Sequence, residues 1–376
     1  MASSIGQGLI DLMVADAKAV WPENFDDIEE MFNRCCFAMA FGAVQQLGLF
    51  QKKGDFENLP SLREKVGLFK DAEYVMGHIL RILVDEQVLE IKDDGWVCVD
   101  NEPFIETPAE ALVIATRRFP EEGAPFQWLA RSQDGLVDFI KGRLYAEEVM
   151  FPMGSFKLVE EVYNTSNVYS FYSKLAGKAV KRLVEGHFAR PVTMFEIGAG
   201  TGNGTANVLE QTNDKFEKYI FTDVGKALVQ MGQRRFKKSG YDFLEYRVFD
   251  AVKSLEEQDL QEGSVDLALA VNVMHATDDI VAGLENTRRL LKDGGILLLS
   301  EIAPPEGSIY RYMEMTFGLL PSYSVFNDTA RRSLSAIIRP KEWVSAFEKA
   351  GFSETIIVPG DGASELDRGG IVIGIK

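Results

Sequence analysis

Short apolar runs alternate with amphipathic stretches along the second half of the chain, and this alternation predicts its fold. The runs lie near residues 192–197, 218–223, 244–249, 264–271, 295–301, 353–358 and 370–375. Such alternation is typical of a parallel sheet with crossover helices. Only a short polar, glycine-containing segment separates the last two runs, which leaves no room for a helix. The pattern therefore predicts an α/β fold with a Rossmann-like seven-stranded sheet, whose last strand is antiparallel in an edge hairpin.

The first half of the chain is mainly helical in pattern. Apolar residues at helical spacing predict a helix over residues 72–85, and a two-stranded ribbon over 88–92 and 96–99 follows it. A helix followed by a ribbon has the shape of a winged helix. We therefore predict three parts, which are a helical N-terminal domain (1–134), a helical linker (135–190) and a domain built on the sheet (191–376).

A glycine-rich turn over residues 198–204 follows the first of these strands and opens a helix. Glycines let a backbone approach a ligand where a Cβ would collide with it. A dinucleotide fingerprint needs Gly or Ala where this chain has Asn203, which weakens an NAD interpretation. Asp223, at the end of the next strand, can accept both ribose hydroxyls of a nucleoside. Glu196 could hold water or the amino group of a methionine-like moiety, and the predicted turn contacts are Gly198, Ala199 and Gly200.

Further candidate contacts lie at the carboxyl ends of later strands, where open parallel sheets bind ligands. Asp250 follows the third strand and could accept a hydrogen bond from an adenine amine, with Ala251 in apolar contact with the ring. The alternative for Asp250 is that it caps the next helix. Tyr172 belongs to an aromatic cluster with Tyr163, Tyr169 and Phe171, which fits either a helix across the cofactor mouth or packing at the domain junction.

His275 follows the fourth strand and is one of three histidines, the others being His78 and His187. Histidine is the side chain best suited to accept a proton near neutral pH. Glu301 ends the fifth strand, and neighbouring strands lie about 4.8 Å apart. Glu301 can then orient the imidazole, which predicts a base with its orienting carboxylate. A metal site is the competing interpretation, but no spacing completes a coordination sphere, and we predict no metal.

Composition excludes several classes of function. The net charge of −17 disfavours nucleic-acid binding, and the basic run at 234–238 is more simply a solvated helix face. Three cysteines, two of them adjacent, cannot form a disulfide framework. The apolar runs are too short to span a membrane, and the N-terminus lacks a signal pattern. We therefore expect a cytoplasmic globular protein with no nucleic-acid or membrane partner.

The sequence resembles the S-adenosylmethionine (SAM) dependent methyltransferase domains embedded in polyketide synthases, from about residue 134 to the C-terminus. The motifs that carry the resemblance are Phe195-Glu196-Ile197-Gly198-Ala199-Gly200-Thr201-Gly202, Phe221-Thr222-Asp223-Val224, Asn272-Val273-Met274-His275-Ala276-Thr277, Leu291-Lys292-Asp293-Gly294-Gly295 and Thr316-Phe317-Gly318-Leu319-Leu320. The resemblance implies the class I methyltransferase fold, SAM as methyl donor with S-adenosylhomocysteine as product, and His275 with Glu301 as the base. It also implies cofactor contacts at Val224, Asn272 and Val273. Residues 1–134 would then form a lid domain, to which the linker 135–190 contributes, in front of the SAM-binding catalytic domain 191–376.

The same resemblance implies C-methylation of the α-carbon of a malonyl- or β-ketoacyl-type thioester. The substrate would be linked through phosphopantetheine to an acyl carrier protein, beside neighbouring synthase domains. Two departures from the family pattern are Asn203-Gly204-Thr205, where Gly-Thr-Thr is frequent, and Ser322-Tyr323-Ser324, where a Trp pair is frequent. The second departure leaves substrate size open. O-methylation of a carrier-bound hydroxyl or enol, a non-catalytic docking module and a dehydrogenase are the alternatives.

Overall fold

The computed structural model describes residues 5–212, 215–304, 309–329, 332, 335–359 and 368–376. The strands are β1 Phe56–Asn58, β2 Leu89–Lys92, β3 Gly95–Cys98, β4 Val192–Ile197, β5 Phe216–Asp223, β6 Leu244–Val248, β7 Val265–Val271, β8 Leu291–Glu301, β9 Glu354–Pro359 and β10 Gly370–Ile375. The helices are α1 Gln7–Val20, α2 Phe25–Gln46, α3 Leu59–Val66, α4 Glu73–Asp85, α5 Pro108–Arg118, α6 Gly123–Ile140, α7 Ala146–Met150, α8 Lys157–Thr165, α9 Asn167–Gly186, α10 Asn203–Thr212, α11 Lys226–Phe236, α12 Ile280–Leu290, α13 Arg311–Met315, α14 Pro321–Ser324 and α15 Pro340–Lys349.

These elements form two compact units that are not contiguous in sequence. The sheet unit comprises residues 1–23, 168–308 and 326–376, and the helical unit comprises 24–167 and 309–325. Helix α1 thus belongs with the sheet, while α13 and α14 belong with the N-terminal helices. The predicted functional division at residues 134 and 190 stays a prediction.

The sheet unit contains the predicted seven-stranded sheet, in the order β6-β5-β4-β7-β8-β10-β9. Strands β4 to β8 are parallel, and β10 runs antiparallel to both of its neighbours, β8 and β9. This confirms the class I methyltransferase fold and the edge hairpin, although connecting residues 360–367 lie outside the described residues. The strand order reverses between β4 and β7, so a crevice opens at their carboxyl ends.

Continuous apolar sequence explains the central strands, because a parallel strand covered by helices is buried on both faces. In β7 every residue from Val265 to Ala270 is buried. Strand β8 begins at Leu291, four residues before the predicted start near 295, because Leu291 pairs with Val265 across a register shift. The other strand bounds agree with the prediction to within two residues.

The helical unit contains the predicted winged-helix-like element. Helices α3 and α4 precede the ribbon β2–β3, and the short strand β1, which the sequence did not predict, pairs with β3. Helix α3 begins with a capping box, in which the Asn58 side chain accepts from the Ser61 backbone N–H and the Ser61 hydroxyl accepts from the Asn58 N–H. No helix in the described part of the chain has the length and apolar character to cross a membrane.

Candidate active site

The glycine-rich turn connects β4 to α10, and its tight packing explains two of its glycines. Gly198 has a φ of +59°, and a Cβ there would lie 2.2 Å from Cγ2 of Val273. A Cβ on Gly204 would lie 2.4 Å from Oε1 of Glu196. A side chain at either position would displace the turn, since non-bonded carbon atoms pack at about 3.5–4.0 Å.

Glu196 lies behind the turn and is only 1% exposed. Its Oε2 accepts hydrogen bonds from the Thr205 hydroxyl at 2.5 Å and from the Tyr219 hydroxyl at 2.6 Å. Burial raises the pKa of Glu196 to about 7, while the two hydroxyls oppose that rise. Glu196 therefore holds the start of α10 against β4 and β5, and its predicted contact with an amino group or water stays a prediction.

The raised pKa of Glu196 predicts a pH-dependent stability. Between its ordinary pKa of 4.5 and the folded value of about 7, the folded chain keeps a proton that the unfolded chain has lost. Stability therefore falls as pH rises through this window, by about 3 kcal/mol for this group. Glu196→Gln is neutral at every pH and should not lose this stability. The difference in free energy of unfolding between Glu196→Gln and the wild type should therefore grow by that amount from pH 5 to pH 8, as measured by urea denaturation.

Glu210→Gln is the matched control, because Glu210 is an exposed position on the same helix α10. Its urea midpoint should follow that of the wild type at every pH. Parallel stability curves for Glu196→Gln and the wild type would contradict the prediction.

Asp223 ends β5 beside the turn and is 5% exposed. Its Oδ2 accepts from the Gly200 N–H at 3.0 Å, and its Oδ1 accepts from the Gly225 N–H at 2.8 Å. Burial raises the pKa of Asp223, and these two backbone hydrogen bonds oppose the rise. A carboxylate has about four acceptor positions, so capacity for two further hydroxyl donors remains. The next residue, Val224, is 67% exposed.

Asp250 follows β6 and forms a local turn. Its Oδ1 accepts from the Val252 N–H at 3.2 Å, and Nζ of Lys253 lies 3.4 Å from its Oδ2. The side chain of Gln258 brackets the Asp250 backbone, accepting from its N–H at 2.8 Å and donating to its carbonyl at 2.9 Å. The following residue, Ala251, is buried. The Asp250 carboxylate thus closes a turn of its own, and a predicted contact with adenine stays a prediction.

The predicted pair of His275 and Glu301 is assembled at the carboxyl ends of β7 and β8. His275 lies in a short 3-10 turn, and its Nδ1 is 2.5 Å from Oε2 of Glu301. Both side chains are buried, with at most 1% of either exposed. An ionised carboxylate can only accept, so a neutral imidazole in this contact has its proton on Nδ1 and its lone pair on Nε2. The geometry is that of a base held by an orienting carboxylate.

The same carboxylate also fixes the loop that carries the imidazole. Oε1 of Glu301 accepts from the N–H groups of Val273 at 3.1 Å and Met274 at 2.9 Å. Asn272 adopts a φ of +50°, and its Oδ1 accepts from the Ile302 N–H at 2.8 Å. Asn272 and Val273 therefore shape the loop, while contacts of either with a cofactor remain predictions.

Tyr172 lies on α9 in the sheet unit and is buried. Its hydroxyl donates to the carbonyl of Arg368 at 2.6 Å, and its own carbonyl accepts from the Ser300 hydroxyl at 2.8 Å. Tyr172 thus contacts the end of β8 and the residues just before β10. The aromatic cluster falls on two helices, because Tyr163 belongs to α8 and Tyr172 to α9.

Sequence reasoning missed several residues that build the site. Thr205 and Tyr219 bind Glu196, and their places after the turn and inside β5 were the available signals. Arg332 contacts the loop of His275 from 57 residues away, and no motif marks it. Within the described ranges, no group of three or more His, Cys, Asp or Glu residues could hold a metal ion.

Comparison with known proteins supports the fold described above. Residues 195–297, which span the turn, Asp223, Asp250 and His275, match a family profile described as a methyltransferase domain. This segment is therefore similar to the methyltransferase domains of that family. The match and the sheet order together confirm the predicted SAM-dependent methyltransferase.

The relatives of this methyltransferase include another methyltransferase and a polyketide synthase. The methyltransferase calH of Penicillium decumbens is 34% identical over 227 residues, covering 59% of this chain and 58% of calH. The polyketide synthase PksM of Bacillus subtilis is 30% identical over 241 residues, covering 62% of this chain and 6% of PksM. The chain thus spans a little over half of one curated relative and a small part of the other.

Solved structures share the whole fold of this methyltransferase. The CurJ carbon methyltransferase superposes with a TM-score of 0.88 at 22% identity, covering 98% of this chain and 97% of CurJ. The CMeT domain of the citrinin polyketide synthase gives a TM-score of 0.80 at 21% identity, covering 100% and 98%. These similarities extend over both units of the chain.

Proposed function

We propose that this methyltransferase is a C-methyltransferase of polyketide biosynthesis that acts on the α-carbon of a malonyl- or β-ketoacyl-type thioester. The observation that carries the proposal is the buried hydrogen bond between Nδ1 of His275 and Oε2 of Glu301, at 2.5 Å. A base of this kind suits an acidic C–H between two carbonyl groups. The relatives from polyketide synthases support the same class of substrate.

The residues around the glycine turn fit SAM. The turn packs so closely that Gly198 and Gly204 admit no side chain, and the Asp223 carboxylate lies beside it with spare acceptor capacity. Asp250 and Ala251 follow the next strand and would hold the adenine amine and ring. When bound, SAM supplies an electrophilic methyl group on a sulfonium. The proposed contacts with SAM are Glu196, Gly198, Ala199, Gly200, Asp223, Val224, Asp250, Ala251, Asn272, Val273 and Tyr172.

His275 would remove the substrate's α-proton at Nε2. Glu301 accepts from Nδ1–H, and its negative charge stabilises the imidazolium that forms. The three hydrogen bonds that Glu301 accepts keep the imidazole in one orientation. Deprotonation turns the α-carbon into a nucleophile, and the remaining gain in rate comes from holding it in an attack geometry.

The proposal includes the partner and the compartment. Relatives named as polyketide synthases support neighbouring synthase domains, with the substrate carried on the phosphopantetheine arm of an acyl carrier protein. We also propose a cytoplasmic location. Cys35, Cys36 and Cys98 are buried free thiols, which agrees with a reducing compartment.

Locating the transferred methyl group tests the substrate class. With SAM labelled in its methyl group, a carrier protein loaded with a malonyl or β-ketoacyl group should gain the label on its α-carbon. A β-hydroxyacyl carrier should remain unlabelled, since its α-proton is far less acidic. Tandem mass spectrometry of the released phosphopantetheine ester locates the label. Label on an oxygen, or on the β-hydroxyacyl carrier alone, would establish O-methylation instead.

A further inference from the structure

Arg332 is a buried arginine in the sheet unit, with 2% of its surface exposed. Its guanidinium pairs with the Asp328 carboxylate and lies 4.4 Å from the ring centroid of Phe326. Burying a charge is costly unless it is paired and hydrogen-bonded. The hydrogen bonds of Arg332 therefore indicate what the buried guanidinium does.

Those hydrogen bonds converge on the loop that carries His275. One guanidinium nitrogen of Arg332 donates to the carbonyls of His275 at 3.0 Å and Thr277 at 2.7 Å, and another donates to the carbonyl of Asp278 at 2.8 Å. The Asp278 carbonyl also accepts from the Asn327 N–H at 2.8 Å. One side chain thus binds three carbonyls within four residues.

Two buried charges hold this loop through opposite backbone groups. The Glu301 carboxylate accepts from the N–H groups that precede His275, and the Arg332 guanidinium donates to carbonyls at and after His275. The loop has little freedom to shift between them. We propose that Arg332 is a positioning residue for His275, fixing the backbone from which the imidazole reaches Glu301.

Two separate nitrogens of a planar fork bind these carbonyls, whereas lysine offers all its donors on one nitrogen and does not reproduce this geometry. Arg332→Lys should let the loop relax. An error of about 1 Å in the position of a catalytic group can lower the rate on the order of 10²-fold. We therefore expect kcat of methyl transfer to fall on the order of 10²-fold, while KM for the acyl carrier and Kd for SAM change less than about threefold.

Arg288→Lys is the matched control, because Arg288 also donates to a backbone carbonyl, that of Ala350 at 2.8 Å. Arg288 lies on α12, and this hydrogen bond reaches the residue that follows α15, outside the loop of His275. Its variant should keep the wild-type kcat.

The expected fall in kcat rests on the proposed function. We therefore add a second measurement that requires no substrate. The chain has three histidines, which makes the imidazole protons tractable by NMR of ¹⁵N-histidine-labelled protein. The Nδ1 proton of His275, bonded to a carboxylate at 2.5 Å, should resonate far downfield and vanish in His275→Ala. In Arg332→Lys this resonance should move upfield or broaden, whereas in Arg288→Lys it should not.

If Arg332→Lys does not fold, Asp328→Asn replaces it, since it removes the carboxylate that orients the guanidinium and should shift the same resonance. An unchanged resonance in a folded variant, or a variant that loses only thermal stability, would overturn the assignment. If the resonance shifts in Arg332→Lys but His275→Ala still transfers methyl groups, the proposed mechanism is refuted. The positioning role of Arg332 is then retained.

Discussion

Replacing His275 by alanine should lower the rate of methyl transfer by about 10³-fold, within the 10²–10⁴-fold that a positioned general base contributes. The imidazole is buried against Glu301 at the carboxyl end of β7, whereas His187, the other histidine of the sheet unit, precedes the amino end of β4. Affinity for SAM should survive, because none of the hydrogen bonds described around the glycine turn involves the imidazole. Single-turnover transfer and calorimetric titration with SAM measure the two quantities separately.

His187→Ala is the control for this prediction, since His187 follows α9 in the sheet unit and packs against Phe188. It should keep full activity. The rate of methyl transfer by Glu301→Gln should lie between those of the wild type and His275→Ala. The amide keeps a hydrogen-bonding group beside Nδ1 but removes the charge that stabilises the imidazolium. Near-normal transfer by His275→Ala would show that another group removes the proton.

Replacing Gly198 by alanine should both destabilise the sheet unit and impair SAM binding. The added Cβ meets Val273 at 2.2 Å, and alanine is strained at a φ of +59°. The left-handed conformation and the overpacking together cost about 2–5 kcal/mol. The turn must shift to relieve the contact, so affinity for SAM should fall at least about tenfold, a loss of about 1.4 kcal/mol. Thermal unfolding and calorimetry measure the two effects.

Two further variants separate the cost of the left-handed backbone from the cost of the contact with Val273. Gly263 has a φ of +62°, and a Cβ added there would have nothing within 4 Å, so Gly263→Ala carries the conformational cost alone, about 1–2 kcal/mol, and should bind SAM normally. Adding Val273→Ala to Gly198→Ala removes the colliding methyl groups and should recover part of the lost stability. Equal destabilisation by Gly198→Ala and Gly263→Ala would show that the contact with Val273 has no cost.

The parts of the fold that were predictable depend on local pattern. The strand, turn and helix around Gly198 and the hairpin of β9 and β10 follow from runs of adjacent residues. The pair of His275 and Glu301 was predictable as well, because the two residues lie at the carboxyl ends of neighbouring parallel strands. Each of these predictions needed only periodicity and the rule that strand ends meet at one edge.

What the sequence could not reveal depends on contacts between distant segments. Arg332 lies in a polar stretch without a motif, and its role appears only when its guanidinium meets three carbonyls near residue 277. The segment 309–325 carries the Thr316-Phe317-Gly318 motif, but its membership of the helical unit follows from long-range packing. In that unit the Tyr312 hydroxyl donates to the Pro125 carbonyl at 3.1 Å, and Ser132 donates to the Met315 carbonyl at 2.5 Å.

That late segment affects how the protein can be synthesised. Tyr312, Met313 and Met315 are buried among helices that leave the ribosome more than 140 residues earlier. Until the late segment has been synthesised, the early helices expose the apolar surface that it covers in the folded protein. Exposed apolar surface of this kind favours aggregation during translation. Truncating the gene before residue 309 would therefore remove part of the interior of the N-terminal half, even though every N-terminal codon remains.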